Sequence, residues 1–274
     1  MTGFLSNRSA CLGAGITLVV IVAVAAGPYL SVYSPTDMDF LALLSPPGWK
    51  HPFGTDSFGR DVLTRILYGA RVSILVSVTG VCLASIVGTA AGLLAANFGG
   101  WIEAVVMRAA DLLLSFPSFV LALFLMVVLG FSIASVTVAI MLVYLPIFAR
   151  LSRNTATLVK DEPWVQAARL FGQPVHSILA REILPNIAAP ILVQAATGVA
   201  FGIIIEAGLS FLGLGVQPPN PSLGSIMADG REYFARAPWV LTMTGLTIST
   251  ALLGLNLLSD GMRDLMDPKL RSRI

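Results

Sequence analysis

The residue types that could carry chemistry are few in this sequence, and their spacing matches no catalytic or metal-binding motif. The two histidines, His51 and His176, and the two cysteines, Cys11 and Cys82, are spread along the chain. A zinc cage or a histidine-based triad needs such residues in clusters, and none of the three lysines follows a glycine as a P-loop requires. We therefore predict no catalytic residue, no bound cofactor and no metal site in this chain.

Two acidic residues, Glu206 and Asp111, stand inside or at the rim of long apolar stretches. An ionisable group at mid-helix in a membrane costs about 2.5–3.5 kcal/mol on insertion scales, so each suggests a function or a partner. For Glu206 we favour an ion pair over contact with a substrate. Its candidate partners are Arg60, Arg65 and Arg71. Asp111 is expected to pair with Arg108, three residues earlier at the membrane rim.

The apolar stretches themselves predict the fold class. Charged residues make up 12% of the 274 residues and hydrophobic residues 56%, whereas soluble proteins have about 25% charged residues. A helix of about 20 residues crosses the hydrocarbon core. Six spans are predicted, at residues 11–33, 73–95, 105–129, 133–149, 188–212 and 239–259. The chain is thus expected to be an all-α, polytopic membrane protein with one transmembrane domain over residues 1–274, and not a soluble enzyme.

The distribution of basic residues predicts the orientation. Six spans place both termini on one side, and cytoplasmic termini put the majority of the 17 lysines and arginines inside, as the positive-inside rule favours. The net charge of +2 is too small to suggest a nucleic-acid partner. We expect a multi-pass protein whose main environment is the lipid bilayer.

Three connections, named loops A (residues 34–72), B (150–187) and C (213–238), are long enough to have structure. Loop A is predicted to lie outside and to end in an amphipathic helix, with apolar residues at a 3.6-residue period from Val62 to Ala70. Asp56 or Ser57 is expected to cap this helix, and Asp61 to pair with Arg65. Such a helix should lie at the membrane surface or against a partner. The candidate site residues of loop A are Gly54, Asp56, Gly59, Arg60, Asp61 and Arg71. Loop C, rich in proline and glycine, is expected to be a shaped turn.

Loop B, predicted to be cytoplasmic, has the pattern of a short helix, a tight turn and a second helix. Asp161 is a candidate N-cap and Pro163 suits the first turn, while Gly172 suits a helix end. Two small alanines stand beside the aromatic residues Trp164 and Phe171. This pattern favours the interpretation that another protein docks on the loop over the interpretation that the loop is a solvated connector. The candidate docking residues are Asp161, Glu162, Trp164, Gln166, Ala167, Ala168, Phe171 and Gly172.

Small residues and prolines within the spans predict packing and bends. The pairs Gly88/Gly92 and Gly198/Gly202 have the GxxxG spacing that lets helices approach closely. Phe116-Pro117 and Leu145-Pro146 could kink the third and fourth spans. Such kinks would let one wall of a pathway move, and prolines are equally common in spans that do not move.

Several segments together resemble a known family. Gln166-Ala167-Ala168-x-x-x-Gly172, followed by Pro185-Asn186, resembles the E-A-A loop of the membrane subunits of bacterial ABC importers. The flanking segments narrow the resemblance to the C-type subunits of the peptide/nickel-type permeases. These segments are residues 54–61, 65–73, 206–219 and 260–268. The resemblance covers roughly residues 10–271, with two departures: Gln166 replaces the usual Glu, and Arg181-Glu182 stands where Arg-His is common.

The resemblance implies the type I transmembrane fold of ABC importers and a place in the bacterial plasma membrane. It implies that loop B docks on an ATPase, although Gln166 puts a salt bridge at that position in doubt. The implied partners are a homologous second permease subunit, two ABC ATPase subunits that bind ATP and Mg²⁺, and an extracytoplasmic peptide-binding protein. The chain itself would not be an enzyme. It would form half of a pathway for di- or oligopeptides that works by alternating access.

Other functions remain as alternatives. An ABC permease for nickel or another small solute would share the same motifs. An ion-coupled transporter or channel acting without ATPases should have ionisable groups near mid-membrane and often inverted repeats, whereas Glu206 and Asp111 are off centre. A third alternative is an intramembrane enzyme. It would need a group of catalytic residues, and this sequence contains no convincing one.

Overall fold

The structure, a computed structural model, describes residues 8–266 of the chain, and this part is almost entirely helical. The helices are α1 Arg8–Leu30, α2 Val62–Phe98, α3 Gly100–Leu114, α4 Ser118–Leu129, α5 Ile133–Val159, α6 Pro163–Leu170, α7 Val175–Phe211, α8 Leu223–Glu232 and α9 Pro238–Met266. Over the described residues there is no strand, only an isolated bridge between Thr55 and Asp61. The all-α prediction is confirmed. The end of the predicted C-terminal motif, Asp267-Pro268, lies outside the described residues.

Five helices (α1, α2, α5, α7 and α9) are long and apolar enough to cross a membrane, and α3 with α4 forms a sixth span if the bent pair is counted as one. The continuous third span predicted for residues 105–129 is wrong, because α3 and α4 meet at an angle of 93°. Pro117, the N-cap of α4, disfavours helical backbone at Phe116. The bend suggested at Phe116-Pro117 is therefore a complete break.

Helix α2 is one continuous helix of 37 residues, where a separate amphipathic helix and a membrane span were predicted. No proline interrupts it, so the two segments join. The Asp61 side chain caps it by accepting a hydrogen bond of 2.8 Å from the Thr64 N–H, and the predicted caps Asp56 and Ser57 are wrong. Its apolar face, with Val62 and Ile66, packs inside this chain and not on a membrane surface.

The predicted close packing at the GxxxG pairs is confirmed. A Cβ atom added at Gly92 would stand 2.3 Å from the Ala149 carbonyl oxygen, and one at Gly88 would stand 2.6 Å from that of Leu145. These contacts bring α2 against α5. Gly198 and Gly202 bring α7 near α2 less closely, since added Cβ atoms would stand 3.1 Å from the Val81 side chain and 3.2 Å from the Ser77 side chain.

Two apolar cores hold the bundle together. The larger lies among α2, α4, α5, α6 and α7, and includes Met126, Phe148 and Ile187. The smaller lies among α1, α2, α8 and α9, and includes Val24 and Ile226. Loop C therefore contributes more than the predicted turn, because its helix α8 is part of the second core.

Candidate functional site

The short helix predicted in loop B is present as α6. It begins at Pro163 and ends where Gly172 adopts a φ of +74°, a conformation that favours glycine. Both features were predicted. The N-cap is Glu162, and Asp161, the predicted cap, stands one residue earlier.

The two faces of α6 have different surroundings. Val165 and Ala168 are buried in the larger core, whereas Trp164 is 46% exposed and Phe171 is 87% exposed. The prediction that Ala168 faces a partner is wrong, since its small side chain lets α6 approach its own bundle. Ala167 is half-buried. Three large apolar side chains are exposed on α6 and at its end, and we name them the α6 surface: Trp164, Leu170 and Phe171.

Polar contacts fix the position of α6 relative to the rest of the bundle. The Gln166 amide donates a hydrogen bond of 2.8 Å to the Asp161 carbonyl oxygen. Arg169 reaches Asn97, at the end of α2, over 3.3 Å. Beyond Gly172 the chain enters α7 through a π-helical segment, Ile178–Ile183. Helix α6 is thus connected to α2 by a side-chain contact and to α7 by the backbone.

The ion pairs of α3 differ from the prediction. Asp111 pairs with Arg150 of α5 and not with Arg108. About two turns towards the start of α3, Glu103 accepts a hydrogen bond of 2.7 Å from Arg153 Nε. Because α5 lies beside α3, its arginines reach these carboxylates across the helix contact. The pairs line a cleft of about 510 Å³.

Loop A is held by a buried charge network. Asp56 Oδ2 accepts from Arg65 Nη1 at 2.5 Å and from Arg60 Nε at 2.7 Å. Arg65 also bonds to Asp229 of α8 at 3.1 Å. The predicted pair of Asp61 with Arg65 is wrong, because Asp61 caps α2 and contacts His51 at 2.9 Å.

The glycines of loop A allow its close turns. Gly59 has a φ of +73°, and a Cβ atom there would stand 1.9 Å from the Asp39 carbonyl oxygen. Gly54 has a φ of +75° and lies against Trp239 of α9. Arg71, by contrast, is exposed on α2. The predicted residues of loop A therefore mainly shape the loop.

Glu206 is completely buried and has no basic partner among residues 8–266, so the ion pair predicted with an arginine of loop A is wrong. Its Oε1 atom accepts a hydrogen bond of 2.7 Å from Ser210. The hydroxyls of Ser73 and Ser222 also face the carboxyl group, yet Oε2 has no hydrogen-bond partner among the described residues. The arginines that were its candidates bond elsewhere or are exposed.

The described residues contain no group of three or more His, Cys, Asp or Glu side chains that could hold a metal ion. What the structure offers instead is two surfaces at opposite ends of α2. Loop A includes the first turns of this helix, and α6 lies beside its end. At 1.5 Å per residue the 37 residues of α2 span roughly 55 Å, more than the bilayer core.

Some functional residues were not predicted from the sequence. Asp229, Glu103 and Arg153 each complete an ion pair with a residue at least 50 positions away. Local spacing contains no signal for such pairs. For Asp229, the pattern Ser222-x-x-Ser225 before it could have indicated a capped helix.

Comparison with known proteins identifies a family that this chain matches. Residues 88–272 match the family described as "binding-protein-dependent transport system inner membrane component". The dipeptide transport system permease protein DppC of Alkalihalophilus pseudofirmus is 40% identical, over 94% of this chain and 84% of that protein. DppC of Haemophilus influenzae is 35% identical, over 98% and 93%. The probable D,D-dipeptide transport system permease protein DdpC of Escherichia coli is 37% identical, over 93% and 85%.

Proposed function

The chain belongs to the family of binding-protein-dependent transport system inner membrane components, and from this premise we propose that it forms half of an ATP-driven pathway for di- or oligopeptides. It is a multi-pass permease subunit of a bacterial inner-membrane transport system, as the resemblance implied. Under the proposal, ATP and Mg²⁺ are bound by two ABC ATPase subunits, and the chain itself catalyses no reaction. Its termini face the cytoplasm.

The α6 surface is the observation that carries the proposal. Leu170 is 89% exposed and Phe171 is 87% exposed on a helix of eight residues that is too short to span a membrane. Large exposed apolar side chains outside the spans are typical of a protein interface. An ATPase subunit that covers them would bury this surface.

The inner face of α6 supports a coupling role. Because Val165 and Ala168 belong to the same core as Ile178 and Ile183, a push on the exposed face is passed to the start of α7. Protein interiors are densely packed and transmit displacement instead of absorbing it. The ATPases would in this way drive alternating access of the spans.

Loop A and loop C support a second docking surface at the other end of α2. Their residues meet at a cavity of about 370 Å³ that Arg60, Asn220 and Asp229 help to line. The buried pair of Asp56 and Arg65 keeps this end rigid. A rigid surface of this kind suits the docking of an extracytoplasmic binding protein, and a homologous second permease subunit would complete the pathway.

The peptide substrate rests on the similar proteins, whose names describe dipeptide transport. The scarcity of histidine and cysteine disfavours a pathway for nickel. The ion-coupled alternative would place a charge near mid-membrane along a water-filled path, whereas Glu206 is enclosed by its own chain.

Reconstitution in liposomes tests the proposal. We expect uptake of a labelled dipeptide only when the second permease, both ATPases, the binding protein and ATP are present. Uptake by the chain alone, driven by an ion gradient, would overturn it.

Within the complete system, Phe171→Glu should abolish co-purification of the ATPases. The control Phe131→Glu changes an exposed aromatic residue far from α6 in sequence, and it should leave co-purification intact.

A further inference from the structure

A groove of about 390 Å³ lies between α1 and α2, at the end of this pair that adjoins loop A. Its walls are apolar and include Val24 and Ala25 of α1 and Ile74 and Leu75 of α2. Leu75 is 53% exposed, so the groove opens to the surface of the bundle. Because both helices are long and apolar enough to cross a membrane, the groove lies at membrane depth.

Arg71 is the only charged residue among those that line this groove in the described part of the chain. It is exposed, and none of the ion pairs formed within residues 8–266 includes it. A guanidinium group stays charged in a protein, and a charge without a partner is costly beside the hydrocarbon region. An anion from outside this chain is therefore expected beside Arg71.

The register of the two helices places the polar end of the groove near the end of α1. A Cβ atom added at Gly27 of α1 would stand 2.7 Å from the Leu67 side chain of α2, and Arg71 follows Leu67 by one turn. Tyr29, which is 80% exposed, lines the same groove two residues after Gly27. Tyrosine is typical of the membrane–water interface, and the long stem of arginine lets its guanidinium group extend to that level. The groove thus has an apolar part at the depth of the acyl chains and a polar part at the depth of the headgroups.

The chemistry of these two parts matches a phospholipid. A guanidinium group binds the two free oxygens of a phosphodiester in a bidentate manner, and a tyrosine hydroxyl can donate to the same phosphate or to an ester oxygen. No carboxylate is among the described residues that line the groove. The ammonium of a zwitterionic headgroup would therefore find no partner there, whereas an anionic headgroup needs none.

We infer that this groove binds an anionic phospholipid of the outer leaflet, with its phosphate on Arg71 and an acyl chain between α1 and α2. A carboxylate of a partner subunit would also neutralise Arg71, but it would have no use for the apolar groove beside it. The leaflet follows from the orientation proposed above. Binding itself requires only that α1 and α2 cross a membrane, so it does not depend on the transported solute.

Lipid binding to the purified full chain with its partner subunits tests the inference. After removal of bound lipid in detergent, phosphatidylglycerol or phosphatidylcholine is added, and native mass spectrometry counts the molecules retained. We expect the unmodified complex to prefer phosphatidylglycerol, and Arg71→Gln to bind it about tenfold more weakly because the charge-assisted hydrogen bonds are lost. Equal binding of the two lipids, or equal binding of phosphatidylglycerol by R71Q and the unmodified complex, would overturn the inference.

Two further variants separate the groove from the charge. Ala25→Phe fills the groove and leaves Arg71 in place, and it should also weaken the binding of phosphatidylglycerol. Arg71→Lys keeps the charge and should bind this lipid within about threefold of the unmodified complex. The matched control is Arg236→Gln, which removes an exposed arginine between α8 and α9 that does not line the groove. R236Q should bind phosphatidylglycerol normally, and a loss equal to that of R71Q would show unspecific attraction of the lipid to positive charge and contradict the site.

The subunit composition of the same preparations distinguishes a lipid from a carboxylate of a partner. R71Q should retain the second permease subunit while it loses the lipid. Loss of the second permease from R71Q would show that Arg71 pairs with that subunit, and it would overturn the inference.

Discussion

The Lys160 ammonium donates a hydrogen bond of 3.0 Å to the carbonyl oxygen of Ala96, in the last turn of α2. Carbonyl groups at a helix end lack partners within the helix and lie at the negative end of its dipole. Lys160 follows directly on α5 and stands three residues before Pro163, where α6 begins. The contact therefore joins the end of one membrane span to the base of the proposed docking helix.

Lys160→Met should weaken coupling between ATP hydrolysis and transport. The substitution keeps an apolar stem of similar length and removes the charge, which leaves the Ala96 oxygen without its donor. We expect a stability loss of about 1 kcal/mol and less dipeptide taken up per ATP hydrolysed. Both are measured on the reconstituted complex, by thermal unfolding and by parallel uptake and phosphate-release assays.

Lys50, exposed in loop A, provides the matched control. Lys50→Met removes the same charge far from α6 and should change neither quantity. A normal ratio of uptake to hydrolysis in K160M would show that this contact does not transmit movement.

Asp56→Ala should be among the most destabilising single substitutions of loop A. It removes the carboxylate that Arg60 and Arg65 share and leaves Arg65, only 5% exposed, with Asp229 alone. Breaking one side of a buried ion pair costs roughly 3–5 kcal/mol. The fraction of folded protein in detergent, followed by size-exclusion chromatography on heating, measures the loss.

Asp37 is an exposed acidic residue of the same loop, and its side chain accepts a hydrogen bond of 2.8 Å from the Ser34 N–H. Asp37→Ala should cost less than about 1 kcal/mol. Equal losses for D37A and D56A would mean that the network around Asp56 contributes no special stability.

The sequence predicts some parts of this fold because they depend on local properties. Spans follow from the length of apolar stretches, and the end of α6 follows from Gly172, which adopts the conformation that favours glycine. The presence of a short helix in loop B was predicted for the same reason. The orientation of α6 was predicted in part. Trp164 and Phe171 are exposed as expected, whereas Ala168 is buried, because its inward placement depends on a core assembled from distant helices.

The partners of the charged residues could not be predicted, because they depend on which helices become neighbours. Asp111 has Arg108 at a favourable i, i+3 spacing, yet Arg150 of α5 is its partner. For Glu206 every predicted partner was an arginine, because a buried charge was assumed. The structure surrounds it with serines, which local sequence patterns do not indicate.

The pair of Glu103 and Arg153 should be measurable by a double-mutant cycle. The two side chains are about a third exposed, at 28% and 35%, so solvent screens them and the coupling energy should be about 0.5–1 kcal/mol. We expect Glu103→Gln and Arg153→Gln to be less than additive in thermal unfolding of the complex. A coupling energy near zero would mean that α3 and α5 are held together by apolar packing alone.

Gly92→Ala should disrupt the contact between α2 and α5. The added Cβ atom would stand 2.3 Å from the Ala149 carbonyl oxygen, a backbone atom that cannot rotate away. Overpacking of this kind costs about 1–3 kcal/mol, and forcing α5 outwards would also disturb α6 at its end. Gly245 of α9 has open space around the same position, so Gly245→Ala should be neutral or stabilise its helix by up to about 1 kcal/mol. Thermal unfolding of the two variants side by side distinguishes a steric effect at α2 from a general sensitivity of the membrane helices to alanine. A similar loss of stability in both variants would contradict the steric explanation.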